Sequence, residues 1–83
     1  MSSLVTILEK PSCMQCTMTK RRMDDLGIEY DTIDMTEREA ALEWALDQGF
    51  QQAPIVVVGD MGGEDFQAWP GFDPDRIQAL AGE

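Results

Sequence analysis

Leu4-Val5-Thr6-Ile7-Leu8 is a short, β-prone apolar run, after which Lys10-Pro11-Ser12 turns the chain. It predicts a first strand over residues 4–9. From Met14 the pattern becomes helical. Cys16, Thr19, Lys20, Met23 and Leu26 recur at helical spacing, which predicts a helix from about Cys13 to Leu26 with Gly27 past its end. Ile28-Glu29-Tyr30-Asp31-Thr32-Ile33-Asp34 alternates apolar and polar, the mark of a half-buried strand. Thr36-Glu37-Arg38-Glu39 has the form of a capping box, with Thr36 as N-cap of a second helix that runs to about Gln48 and ends at Gly49. Leu42, Ala45 and Leu46 are expected to be its buried stripe, with Trp44 at the margin.

Ile55-Val56-Val57-Val58 is β-branched throughout and reads as a strand buried on both faces. Residues 59–65 are turn material, and Phe66-Gln67-Ala68-Trp69 suits a short strand returning as a hairpin. Asp73-Pro74 supplies an N-cap and first helical residue for a last helix, with Ile77, Leu80 and Ala81 inward. The order is β-α-β-α-β-β-α. A right-handed first crossover makes two strands parallel, and the hairpin adds antiparallel ones. The expected α/β architecture is a four-stranded mixed sheet flanked by three helices.

Eighty-three residues suit one domain, burying about 60–65% of the unfolded chain's surface. No apolar stretch approaches the roughly 18 residues of a membrane span. The first residues lack the basic and long apolar regions of a secretory signal, and two cysteines do not make a disulfide-dense secreted domain. A cytoplasmic setting is the expectation. The net charge of −10 repels nucleic acid and anionic membranes, and is compatible with a basic protein surface. Lys10, Lys20, Arg21 and Arg22 lie close in sequence to the cysteines. They are either a patch that supports a thiolate and steers an acidic segment, or a solvated helix face.

The candidate chemistry is Cys13-Met14-Gln15-Cys16, placed where strand hands over to helix. With Cys13 at the helix start and Cys16 a turn later, the sulfurs can come within bonding distance. Unpaired backbone N–H groups and the helix dipole favour the Cys13 thiolate, the attacking species. Lys10 pushes the same way, and Glu9 opposes it. Cys13 is therefore expected to be exposed and reactive, and Cys16 more buried. Two cysteines without histidine leave a closed zinc site, which takes four ligands, short of donors. As a structural disulfide the pair closes too short a loop to stabilise much. A pair of inert buried cysteines is the further alternative, but the flanking Lys10, Pro11, Ser12 and Gln15 suggest an exposed turn, and motif and context together favour thiol–disulfide exchange.

This arrangement resembles the thioredoxin fold. Lys10-Pro11-Ser12-Cys13-Met14-Gln15-Cys16, Gln52-Ala53-Pro54, Trp69-Pro70-Gly71-Phe72 and Pro74-Asp75-Arg76-Ile77 make the chain similar to the NrdH-redoxin family. The resemblance implies a glutaredoxin-shaped monomer with thioredoxin-like behaviour. It also implies electron supply to class Ib ribonucleotide reductase and re-reduction by thioredoxin reductase with NADPH, with no tightly bound cofactor. Cys13 would be the nucleophile and Cys16 the resolving thiol. Pro54 would be a cis-proline whose neighbour Ala53 pairs its backbone with a bound peptide. Lys10, Met14, Gln15, Trp69, Gly71 and Phe72 would complete the partner surface, with Trp69, Gly71 and Phe72 forming a flat apolar face. The chain departs from the family pattern at Leu8, where an aromatic is usual, and at Glu9, usually threonine. Pro70 is usually serine and Asp73 usually basic, and residues 59–67 make a longer hairpin; Asp73, Glu9 and the long hairpin bear on partner affinity more than on chemistry.

Two other readings stand beside this one. Gly62-Gly63-Glu64-Asp65 resembles the stretch with which glutaredoxins hold glutathione, although its distance from Pro54 differs. A non-catalytic module, or a dimer bridging an iron–sulfur cluster through Cys13, is the alternative of another class.

Overall fold

The structure is a computed structural model that describes residues 4–82. Its elements are β1 (Val5–Glu9), α1 (Met14–Asp25), β2 (Asp31–Asp34), α2 (Glu39–Asp47), β3 (Ile55–Gly59), β4 (Phe66–Pro70) and α3 (Pro74–Ala81). The sheet order is β2-β1-β3-β4. β1 runs parallel to β2, with Glu9 opposite Asp34, and antiparallel to β3, with Leu8 opposite Ile55. β3 and β4 form the hairpin, with Ile55 opposite Pro70 and Gly59 opposite Phe66. This register brings the end of β1, the start of β3 and the end of β4 to one edge of the molecule. The cysteine turn, Pro54 and Gly71 all lie there.

Side chains alternate across the sheet and divide the core in two. Val5, Ile7, Val56 and Trp69 pack with Met23 of α1 and Ile77 of α3. Leu8, Ile55 and Val57 pack with Met35 and with Ala41 and Ala45 of α2. Each such aliphatic side chain contributes about 1.5–3 kcal/mol relative to exposure. The α/β architecture, with its mixed sheet and three helices, is as the pattern predicts.

Four local expectations are corrected. β2 begins only at Asp31, because Ile28 closes α1 through an N–H bond to Met23 O at 2.9 Å. Thr36 does not cap α2. Its N–H and Oγ1 both bond back to Asp34 Oδ1, at 2.8 and 2.6 Å, and the local turn that results delays the helix to Glu39. Leu42 and Leu46 are 41% and 53% exposed, while Ala41 and Ala45 face the sheet. In α3, Ile77 is fully buried and Leu80 half-buried, but Ala81 is exposed.

The long hairpin is anchored to α2. Trp44 donates its indole N–H to Met61 O at 3.0 Å and tilts against Phe66, with centroids 5.3 Å apart. Trp44 is thus the margin residue its position suggests. Gly59, at φ +113°, has no room for a Cβ, which would lie 2.6 Å from Asp65 O.

Candidate functional site

Cys13 is the N-cap of α1, in extended conformation, and its Sγ accepts the Cys16 backbone N–H at 3.1 Å. Ser12 enters the turn at φ +57°, a left-handed conformation uncommon outside glycine. Cys13 and Cys16 are joined as a disulfide with Cα atoms 5.2 Å apart. Cys13 is half-buried and Cys16 only 2% exposed. An incoming sulfur therefore has access to Cys13 and not to Cys16. The N–H aimed at Cys13 Sγ favours that sulfur's charged form once the bond is reduced.

Two segments, residues 52–54 and 71–73, close around this turn. The Ala53–Pro54 bond is cis, and Pro54 O accepts the Gly71 N–H at 2.7 Å. Gln15 Oε1 accepts the Phe72 N–H at 3.1 Å. Gly71 is at φ +78°, and a Cβ there would stand 3.2 Å from Gln15 Oε1 and 3.5 Å from Gln52 Nε2. Asp73 Oδ1 accepts the Arg76 N–H at 3.1 Å, so Asp73 caps α3 as predicted.

The expected flat apolar face is corrected. Trp69 is 4% exposed and opposite Val56, whose side chain points into the α1–α3 core. Arg76 lies 5.4 Å from the Trp69 ring centroid and pairs with Asp73 at 3.4 Å. Pro54 and Gly71 are also buried, and Phe72 packs half-buried against the same core. Around Cys13 the exposed side chains are instead Lys10, Pro11, Ser12, Met14 (76%) and Gln15. Ala53 is half-buried behind them.

A cavity of about 620 Å³ beside the disulfide is lined by Glu9, Lys10, Cys13, Cys16, Lys20 and Asp34, among others. Across it Lys20 Nζ donates to Glu9 Oε1 at 2.6 Å. The basic patch read from Lys20, Arg21 and Arg22 is thus divided. Lys20 is held by Glu9, and Arg22 donates to Gln78 Oε1 at 2.9 Å. Glu9, in turn, is not an isolated negative charge beside the sulfurs. Sequence reasoning missed these pairings, and the Gln15–Phe72 bond, because each joins residues far apart in the chain.

Gly62 and Gly63 lie in the hairpin turn, where their N–H groups bond to Asp60 Oδ1 and Asp60 O at 2.9 and 3.0 Å. The turn follows Gly59, whose N–H bonds to Leu4 O at 2.8 Å. It therefore sits by the start of β1, a strand's length from Cys13.

The sequence profile of the glutaredoxin family matches residues 5–62. Glutaredoxin-like protein NrdH of Escherichia coli K12 is 37% identical over 76 residues, covering 92% of this chain and 86% of that protein. The NrdH protein of Lactococcus lactis IL1403 is 32% identical over 78 residues, covering 94% and 100%. The solved Escherichia coli NrdH-redoxin, described as glutaredoxin-like with a thioredoxin-like activity profile, superposes with a TM-score of 0.81 over 92% of each chain. The glutaredoxin of Archaeoglobus fulgidus, 20% identical, shares the fold with a TM-score of 0.71 over 94% of this chain and 85% of its own. With its Cys13–Cys16 pair at the first strand-to-helix turn of this fold, the chain belongs to the glutaredoxin family and, within it, to the NrdH-redoxins.

Proposed function

We propose that the protein carries electrons to a disulfide of a protein partner, the class Ib ribonucleotide reductase. We also propose that thioredoxin reductase, using NADPH, restores its dithiol. The observation that carries this reading is the asymmetry of the pair, an accessible Cys13 over a buried Cys16. The Cys13 thiolate attacks one partner sulfur, forming a Cys13–partner bond and releasing the other partner sulfur as a thiolate that takes up a proton. Cys16 then loses its proton to solvent through the cavity that it lines. It attacks Cys13 Sγ, forms the Cys13–Cys16 bond and expels the second partner sulfur, which is protonated in turn. Two electrons pass to the partner. The cytoplasm, where such thiols stay reduced, is the setting this chemistry suits.

Support for a protein reductant over glutathione comes from α3 and the hairpin. A tripeptide with two carboxylates is best met by free helix N–H groups and cations. Here the Asp73 carboxylate occupies the start of α3 and already takes one of those donors. The Gly62-Gly63 turn lies at the far end of the sheet. The test is NADPH consumption with an oxidised protein disulfide as acceptor. Thioredoxin reductase should drive turnover, and millimolar glutathione with glutathione reductase should not. Equal turnover with both would replace this reading with a glutathione-dependent one.

A further inference from the structure

The two leucines left exposed on α2 border a groove. It measures about 180 Å³ and is lined by Lys10, Met35, Leu42, Leu46, Phe50 and Ala53, among others. Lys10 also lines the cavity that holds both cysteines, so the groove and the redox site meet at that residue. Its volume accommodates a single apolar side chain and falls below the ~300–1,000 Å³ of a small-molecule pocket.

The helix beside it carries a charge pattern of its own. At 3.6 residues per turn, Ala41 and Ala45 face the sheet, Leu42 and Leu46 come next around the helix, and Glu39, Glu43 and Asp47 form the adjoining stripe. All three acids are exposed, and none is in an ion pair among the described residues. The cations bordering this surface are Lys10, at the redox end, and Arg38, at the start of α2. A second copy of the chain would bring a like-charged stripe and the same net charge of −10. A nucleic acid would be repelled by the same acids.

We infer that this surface recognises the segment flanking the reactive disulfide of a protein partner. An apolar side chain of that segment seats between Leu42 and Leu46, and Lys or Arg residues next to it meet Glu39, Glu43 and Asp47. The inference rests on the proposed disulfide reduction and adds to it the chemistry of the partner: leucine-like and basic beside its cysteines.

The probes are three cyclic disulfide peptides, identical except for a flank of Leu-Lys-Lys, Leu-Glu-Glu or Ser-Lys-Lys. The readout is the rate constant for reduction of each by the reduced protein. The Leu-Lys-Lys peptide should react about tenfold faster than either of the others, a difference of about 1.4 kcal/mol. Added salt should shrink the lysine-over-glutamate preference and spare the leucine-over-serine preference. Glu43→Gln combined with Asp47→Asn should abolish the first preference, and Leu46→Ser the second. Glu64→Gln, on the distal hairpin, should keep both. Equal rates for the three peptides overturn the proposal. So does a Glu64→Gln protein that loses the lysine preference as fully as the α2 variant, since net charge would then account for it. Failure to reduce all three peptides and hydroxyethyl disulfide as well would overturn the redox reading itself, and the proposal with it.

Discussion

Gln15 Oε1 accepts the backbone N–H of Phe72 at 3.1 Å, across 57 residues of chain. The bond ties one of the two residues between the cysteines to the loop whose preceding N–H, at Gly71, holds Pro54 O. One glutamine thereby joins the cysteine turn to the loop that holds the cis-proline. Gln15→Ala leaves the Phe72 N–H to solvent and should cost about 0.5–1.5 kcal/mol. Amide exchange at Phe72 should accelerate in that variant, while exchange at Val57 in the core strand should change only by the loss in global stability. Unchanged protection at Phe72 would show that the bond does not hold the loop.

Gly71 tests the same junction from the other side. At φ +78° an L-residue is strained, and a Cβ would press to 3.2 Å from Gln15 Oε1. Gly71→Ala should therefore destabilise by about 1–2 kcal/mol. A lower urea midpoint with an unchanged slope is the expected result. A stability equal to or above the parent protein would contradict the strained geometry.

Tyr30 offers a spectroscopic check on the packing of the segment before β2 against α1, because it is the single tyrosine of the chain. Partial burial raises its pKa above 10.0, and the hydroxyl's hydrogen bond to Asp24 Oδ1 adds to the rise. The folded protein thus favours the protonated phenol. Its contribution to stability is fully present below the unfolded value and is lost as pH rises through the folded one, above about pH 10. The tyrosinate absorbance midpoint should lie above 10.0 in the native protein, and Asp24→Asn should lower it. A midpoint at or below that value would contradict the arrangement.

Much of this was legible in the chain. The cysteine pair, the element order and the Asp73-Pro74 cap are local signals, and each corresponds to a local hydrogen-bond or packing pattern. Where reading failed, a second local partner or a distant one decided the outcome. Thr36 has the spacing of a capping residue, but Asp34 is nearer and takes both its donors. Leu42 and Leu46 suit a buried stripe by hydropathy, yet the small Ala41 and Ala45 let α2 approach the sheet closely and turn the leucines outward. Trp69 reads as a surface aromatic until its register opposite Val56 is known. The Glu9–Lys20 pair and the Gln15–Phe72 bond have no signature in sequence at all, since only the folded topology brings their partners together.

The accessibility of the two sulfurs fixes the order of labelling. With Cys13 half-buried at the helix start and Cys16 only 2% exposed, limiting alkylation of the reduced protein near neutral pH should modify Cys13 first. Peptide mapping reads the site directly. Preferential modification of Cys16 would reverse the assigned roles.

The central claim is that Cys13 attacks and Cys16 resolves, and the most direct measurement is capture of the intermediate. Cys16→Ser should accumulate a mixed disulfide between Cys13 and the partner, visible by mass spectrometry and released by dithiothreitol. Cys13→Ser should capture nothing and support no turnover. Normal turnover by the Cys13→Ser protein, or a mixed disulfide formed through Cys16 in the parent protein, would contradict the account.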